Sequence, residues 1–154
     1  MRVTFSETLA ELATNDSRIV LFSGDPGFMA LDSFITRHPS RFFNVGVAEQ
    51  NMIGLATGMA QAGFIPFVYS IVPFAVLRPF EFIRNGPIQH GLPVRIVGVG
   101  AGFDYSRNGL SHYGLDVPSH ARMKVWQCSP PPTTCKPAPS LQPHGIGRSP
   151  FIIG

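Results

Sequence analysis

The stretch FFNVGVAEQNMIGLATGMAQAG, residues 42–63, decides how this chain folds. Its first four residues are typical of a short strand, and Gly46 then predicts a tight turn. A helix should begin near Ala48, because apolar residues recur from there with the helical period. The predicted inward stripe of that helix consists of Ala48, Met52, Leu55 and Met59.

Glu49 is the only charged residue between Asn44 and Leu77. It falls in the first turn of the predicted helix, where a carboxylate facing solvent complements the positive end of the helix dipole. The alternative is a carboxyl group held in an apolar pocket, where loss of hydration favours the protonated form and leaves a proton to share. The residues alone leave both interpretations open.

Outside this stretch, short apolar runs alternate with helical patterns. Strands separated by helices indicate a parallel β-sheet flanked by helices, an α/β fold. Proline residues predict a helix that starts near Pro73 and is either bent or restarted at Pro79. The further strands are predicted at residues 18–22, 64–70 and 94–99, and the further helices at residues 6–13 and 30–37.

The loops after the four predicted strands should carry the functional residues. In parallel α/β sheets, ligands bind beyond the carboxyl ends of the strands. These loops cover residues 24–28, 46–50, 71–74 and 100–112. A site is therefore expected where these four segments meet.

Composition excludes several classes of protein. The 154 residues are 44% hydrophobic and 14% charged, which suits one domain with part of its surface made for a partner. No apolar run approaches the roughly 18–20 residues of a membrane span, and no signal-peptide pattern opens the chain, so we expect a cytoplasmic protein. The net charge of +3 comes from the end of the chain, since residues 1–118 hold eight basic and nine acidic residues. We therefore expect neither nucleic acid nor a membrane as partner.

Residues 119–154 differ in composition from the rest. They hold seven of the fifteen prolines, both cysteines and no acidic residue. Such a segment is predicted to be disordered. The spacing of Cys128 and Cys135 is not typical of a zinc site, and we predict no metal ligands in the chain.

Three separated segments carry a resemblance to a known family: GVAEQ at residues 46–50, FVYSIVPF at 67–74 and GLSH at 109–112. In this order and spacing they resemble the pyrimidine-binding domain of the transketolase family of thiamine-diphosphate enzymes. The segment VGVAEQNMIG, residues 45–54, resembles the C-terminal half of members whose two halves are separate chains. The resemblance covers most of residues 5–117 and implies the thiamine-diphosphate-binding fold of the pyrimidine type.

The resemblance implies a cofactor role for three residues. Glu49 matches the family glutamate whose carboxyl hydrogen-bonds the aminopyrimidine ring and promotes the imino form that takes the C2 proton. Phe74 matches an aromatic residue that stacks on that ring, although a core phenylalanine is the alternative. Asp25 matches an acidic residue near the cofactor, although an aspartate before proline also suits an ordinary turn.

Two further residues are implied in substrate binding. His112 matches a histidine that contacts the oxygens of the sugar substrate, whereas a loop histidine is otherwise often only solvated. Asn108 stands where sugar transketolases have an aspartate that faces a substrate hydroxyl. This departure leaves the sugar acceptor open.

The resemblance also implies a partner. The family binds the cofactor's diphosphate and Mg²⁺ through a separate domain with a Gly-Asp-Gly…Asn motif, which this sequence lacks. We therefore expect a dimer or hetero-oligomer with a diphosphate-binding subunit, and an inactive isolated chain. The implied reaction is transfer of a two-carbon ketol unit between sugar phosphates.

Three alternatives stay open at this point. Residues 1–118 would form a partial pyrimidine-binding domain, and residues 119–154 would be an out-of-frame tail, because a shifted reading frame could restore family-like segments there. The chain would then be a non-catalytic, truncated remnant. It could also belong to a related enzyme, either deoxyxylulose-phosphate synthase or a 2-oxoacid dehydrogenase component.

Overall fold

A computed structural model describes residues 2–24, 29–115, 128–129 and 151–153 of the chain. Six parallel strands form one sheet in the order β2-β1-β3-β4-β6-β5, so the predicted parallel α/β fold is confirmed. The four predicted strands are β1 to β4. The strands are β1 Ile19–Ser23, β2 Phe42–Asn44, β3 Ile65–Ile71, β4 Arg95–Val99, β5 Cys128–Ser129 and β6 Phe151–Ile153.

Helices cover both faces of this sheet. Two helices pack on one face around Leu9 and Phe34, and three pack on the other around Met52 and Val76. The interruption predicted at Pro79 is confirmed, because a new helix starts directly after that residue. The helices are α1 Arg2–Asn15, α2 Asp32–Arg37, α3 Glu49–Gln61, α4 Val72–Val76 and α5 Phe80–Ile83.

The first helix is longer than predicted. It begins at Arg2, so the expected start near Ser6 is wrong. Thr4 and Glu7, whose Thr-x-x-Glu spacing is typical of the start of a helix, lie inside it. Tertiary packing explains the extension, since the Ser6 Oγ lies buried and accepts a hydrogen bond from the Phe34 N–H at 3.2 Å. A contact with α2 therefore outweighs the local start signal.

The inward face of α3 also differs from the prediction. Leu55 is 44% exposed, whereas Ile53 and Ala56 are buried. The buried residues recur at i, i+3, i+4, i+7 and i+11, which is one helical face rotated away from the predicted stripe. They are Glu49, Met52, Ile53, Ala56 and Ala60.

Two short segments of the region after residue 118 join the sheet. Phe151–Ile153 pairs with β4, and Cys128–Ser129 pairs with Phe151–Ile153. The other residues from 116 onward lie outside the described part, so the division at residue 118 and the frame-shift hypothesis stay predictions. Among the described helices, none combines the length and apolar character needed to cross a bilayer.

Candidate active site

A tight turn between β2 and α3 brings Glu49 to the carboxyl end of the sheet. Asn44 Oδ1 accepts a hydrogen bond from the Gly46 N–H at 2.9 Å, and the Ala48 N–H donates to the Gly46 carbonyl at 2.8 Å. Gly46 has a φ of +70°, which explains the glycine at this position. Glu49 is the first residue of α3 and turns back toward β1 and β3.

The Glu49 carboxylate is buried and fully surrounded. Its side chain is 2% exposed, so the interpretation of a solvent-facing partner of the helix dipole is wrong. Arg78 Nη1 donates to Oε2 at 2.9 Å, and Ser70 Oγ makes a longer contact of 3.4 Å with Oε1. A Cβ atom at Gly24 would lie 3.5 Å from Oε1, so the β1 loop also closes on the carboxylate. The pocket is thus not wholly apolar, because the Arg78 guanidinium group lies beside the carboxylate. The sequence did not suggest this cation, since no charged residue stands between Glu49 and Arg78.

Arg78 connects Glu49 to two aromatic rings. Its guanidinium carbon lies 4.0 Å from the centroid of the Phe74 ring. The Phe74 and His112 rings meet edge-to-face, with 4.9 Å between centroids and an angle of 75°. The structure therefore brings together Glu49, Phe74 and His112, which the sequence analysis singled out, and adds Arg78, which it missed. A signal for Arg78 was available, since it is the first charge after Glu49 and stands four residues after Phe74.

The loop after β4 holds His112 against Phe74. Gly102 and Gly114 pair through two backbone hydrogen bonds of 3.2 and 2.8 Å, which close the base of the loop. Gly100 has a φ of +75°, and a Cβ atom there would lie 2.1 Å from Tyr105 Cε2. Tyr105 thus packs directly on the Gly100 backbone, a close approach that only glycine permits.

The described residues do not place the other two predicted site residues in this cluster. Asn108 is exposed on a 3₁₀ turn, Ser106–Asn108, and no hydrogen bond or ring contact joins it to the cluster within the described residues. Asp25 lies outside the described residues, so its predicted place near the cofactor stays a prediction. In the described ranges, no group of three or more His, Cys, Asp or Glu side chains is arranged to hold a metal ion.

Comparison with known proteins identifies the family. The sequence model described as "Transketolase, pyrimidine binding domain" matches residues 1–136. The chain belongs to this family. The match extends into the region after residue 118 and covers all the residues of the Glu49 cluster. The family thus accounts for the resemblance carried by the three motifs.

Two curated relatives and one solved structure illustrate the transketolase relationship. A putative transketolase C-terminal section from Methanocaldococcus jannaschii is 42% identical over 113 residues, which cover 73% of this chain and 36% of the relative. A 6-deoxy-6-sulfo-D-fructose transketolase subunit from a Clostridium species is 38% identical over 119 residues, covering 75% and 36%. The structure of a split-gene transketolase, described as an inactive β4 tetramer, aligns with a TM-score of 0.67 and 32% identity over 80% of this chain and 40% of the other. The chain thus spans 36% of the length of these two curated relatives.

Membership of this transketolase domain family implies use of thiamine diphosphate, and the cluster fits the pyrimidine ring of that cofactor. A flat heteroaromatic ring needs an apolar face to stack on and hydrogen-bonding groups at its edge. Phe74 offers a partly exposed side chain, and Glu49 offers a carboxylate that is buried at the same end of the sheet. The guanidinium group of Arg78 already lies over the Phe74 ring and bonds Glu49, so one group can satisfy both contacts.

Proposed function

We propose that this chain supplies the pyrimidine-binding half of a thiamine-diphosphate-dependent transketolase. The complete enzyme would transfer a two-carbon ketol unit between sugar phosphates in the cytoplasm. The observation that carries the proposal is the buried Glu49 carboxylate, which Arg78 links to the ring of Phe74 at the carboxyl end of the sheet. In a member of this domain family, such a group is suited to binding the aminopyrimidine.

Within the cluster, Glu49 and Phe74 would bind the cofactor and His112 would bind the substrate. Bound thiamine diphosphate supplies a thiazolium carbon that attacks carbonyl groups once it has lost its proton. Glu49 would hold a proton at the pyrimidine nitrogen, and Phe74 would orient the ring by stacking. His112 meets Phe74 edge-to-face and would contact the substrate's oxygens. We extend the proposal to Asp25 beside the cofactor and to Asn108 beside the substrate.

The diphosphate and its Mg²⁺ would be bound by a partner subunit. Two of the relatives are named as a section or a subunit of a transketolase, which supports an enzyme assembled from separate parts. The chain alone would therefore lack the diphosphate site and be inactive. A dimer or hetero-oligomer with a diphosphate-binding chain would form the complete site between the two components.

Calorimetry and an activity assay test this proposal together. The isolated chain, titrated with thiamine diphosphate and Mg²⁺, should show no tight binding, because phosphate groups supply much of the binding energy of such cofactors. Mixed with a chain that carries the Gly-Asp-Gly…Asn motif, it should form a complex that binds the cofactor and transfers ketol units from a ketose phosphate. Submicromolar binding by the isolated chain would contradict the partner requirement. A complex that binds the cofactor without ketol transfer would support the non-catalytic remnant instead.

A further inference from the structure

One side chain, Arg78, occupies both contacts that the proposed function assigns to the aminopyrimidine ring. Its guanidinium group donates to Glu49 Oε2 at 2.9 Å and lies 4.0 Å above the Phe74 ring. A guanidinium group is planar, carries N–H donors on its edge and stacks on aromatic faces. An aminopyrimidine ring is also planar and stacks on aromatic faces, and its ring nitrogen presents an N–H to a carboxylate once it is protonated. The two groups are therefore alternative occupants of one position.

Arg78 is also placed to leave that position. Its side chain is 42% exposed, whereas Glu49 is only 2% exposed. Arg78 follows the short helix α4 and Leu77, which is itself 45% exposed. A long side chain at the surface can rotate into water at small cost, while the buried carboxylate cannot follow it.

We propose that Arg78 sets the affinity for the cofactor by competing with the pyrimidine ring for Glu49 and Phe74. This inference rests on the proposed function. The guanidinium group leaves both side chains when the ring binds, and it returns when the ring dissociates. The buried carboxylate is thus paired at all times, either with the guanidinium group or through the proton that it shares with the ring nitrogen, which avoids the cost of an unpaired charge in the interior.

A solely structural ion pair predicts a different behaviour. If Arg78 only neutralised Glu49, it would stay bound when the ring stacks, and its loss would weaken binding by disordering the carboxylate. If it competes, its loss strengthens binding because one of the two occupants has been removed. The sign of the change in affinity therefore separates the two roles.

Thiamine without its diphosphate is the suitable probe, since its pyrimidine site would lie wholly on this chain. The full chain is titrated with thiamine and followed by NMR in the wild type, in Arg78→Met and in Arg84→Met. Arg84 is an exposed arginine bonded to Asn85, so its variant controls for loss of one positive charge. We expect Arg78→Met to bind thiamine about 5-fold more tightly. The effect is modest because partly exposed ion pairs and cation–π contacts contribute little binding free energy. Arg84→Met should match the wild type.

A direct readout follows the wild-type arginine itself. The Arg78 side-chain resonances should show a ring-current shift from Phe74, and this shift should be lost as thiamine binds. Arg78→Lys provides a second variant in case Arg78→Met does not fold, and it should bind about 2-fold more tightly, because an ammonium group stacks less well.

The outcomes distinguish this proposal from the proposed function. Equal or weaker thiamine binding in both Arg78 variants, or an unchanged Arg78 ring-current shift, overturns the competition while thiamine binding at Phe74 still supports the function. If thiamine perturbs neither Phe74 nor Glu49 in any variant, the proposed function fails and the competition fails with it.

Discussion

Two charged side chains are buried in the described part of the chain, at opposite ends of the sheet. Glu49 follows β2 at the carboxyl end and is 2% exposed, and Arg95 is the first residue of β4 and is 5% exposed. Glu49 has an ion-pair partner and a polar neighbour, Arg78 and Ser70. For Arg95 Nε, the described residues offer no acceptor. Similar burial thus accompanies very different surroundings.

The difference shows which kind of burial indicates a site. Burial lowers the pKa of the Arg95 guanidinium, since the charged form loses hydration. Arg95 stands opposite Phe67 in the β3–β4 register, and its long stem contributes to packing. Glu49 instead belongs to a chain of contacts that leads through Arg78 to Phe74 and His112. A buried charge indicates function when such contacts lead outward to groups that a ligand can reach.

The largest effect should come from Glu49→Gln. In the complex with a diphosphate-binding chain, this variant keeps the shape of the side chain but removes its ionisable proton. We expect exchange of the cofactor's C2 proton to slow by about 10²–10⁴-fold, the usual contribution of general acid–base groups. The measurement is C2 exchange by NMR at matched cofactor occupancy.

Matched variants sharpen this comparison. Glu81→Gln changes an exposed glutamate on α5, and Arg95→Met changes the other buried charge. Both should exchange at the wild-type rate. Unchanged exchange in Glu49→Gln would remove the central residue of the proposed function.

A smaller effect on stability is expected from Arg78→Met. Among the described residues, this variant leaves the buried Glu49 carboxylate with only the long contact to Ser70, which destabilises the folded state. Since Arg78 is 42% exposed, we expect the free energy of unfolding to fall by about 1 kcal/mol, below the usual cost of breaking a fully buried pair. Urea denaturation measures the change.

A double-mutant cycle shows whether that loss belongs to the pair. In the Glu49→Gln background, Arg78→Met should cost less than half as much, because no charge is left unpaired. An equal cost in both backgrounds would mean that Arg78 stabilises the fold through Phe74 alone.

The smallest effect, with the opposite sign, is expected from Arg95→Met. Methionine keeps an apolar stem of similar reach and removes a desolvated charge whose Nε has no acceptor in the described residues. We expect the free energy of unfolding to rise by up to about 1 kcal/mol. Urea denaturation against Arg37→Met, an exposed control on α2, checks this. A marked loss of stability would show that Arg95 has a favourable partner after all and would remove the contrast with Glu49.

Much of the fold and part of the site could be predicted from local patterns. The four strands β1–β4 lie within one or two residues of their expected bounds, because short apolar runs between turn residues are strong local signals. The start of α3 was also predictable, since the Gly46 turn ends the preceding strand and the helical period begins near Ala48. The predicted face of α3 was wrong at Leu55, because helical periodicity allows several adjacent faces and only packing selects one.

By itself, the sequence determined that a lone carboxylate starts a helix after a strand and that Phe74 and His112 follow later strands. These features depend on residues that are neighbours along the chain. Only the tertiary structure decided that Arg78 pairs with Glu49, 29 positions away, and that His112 meets Phe74. The strand order β2-β1-β3-β4 brings these segments together, and such long-range contacts result from packing the whole sheet, which no local pattern specifies.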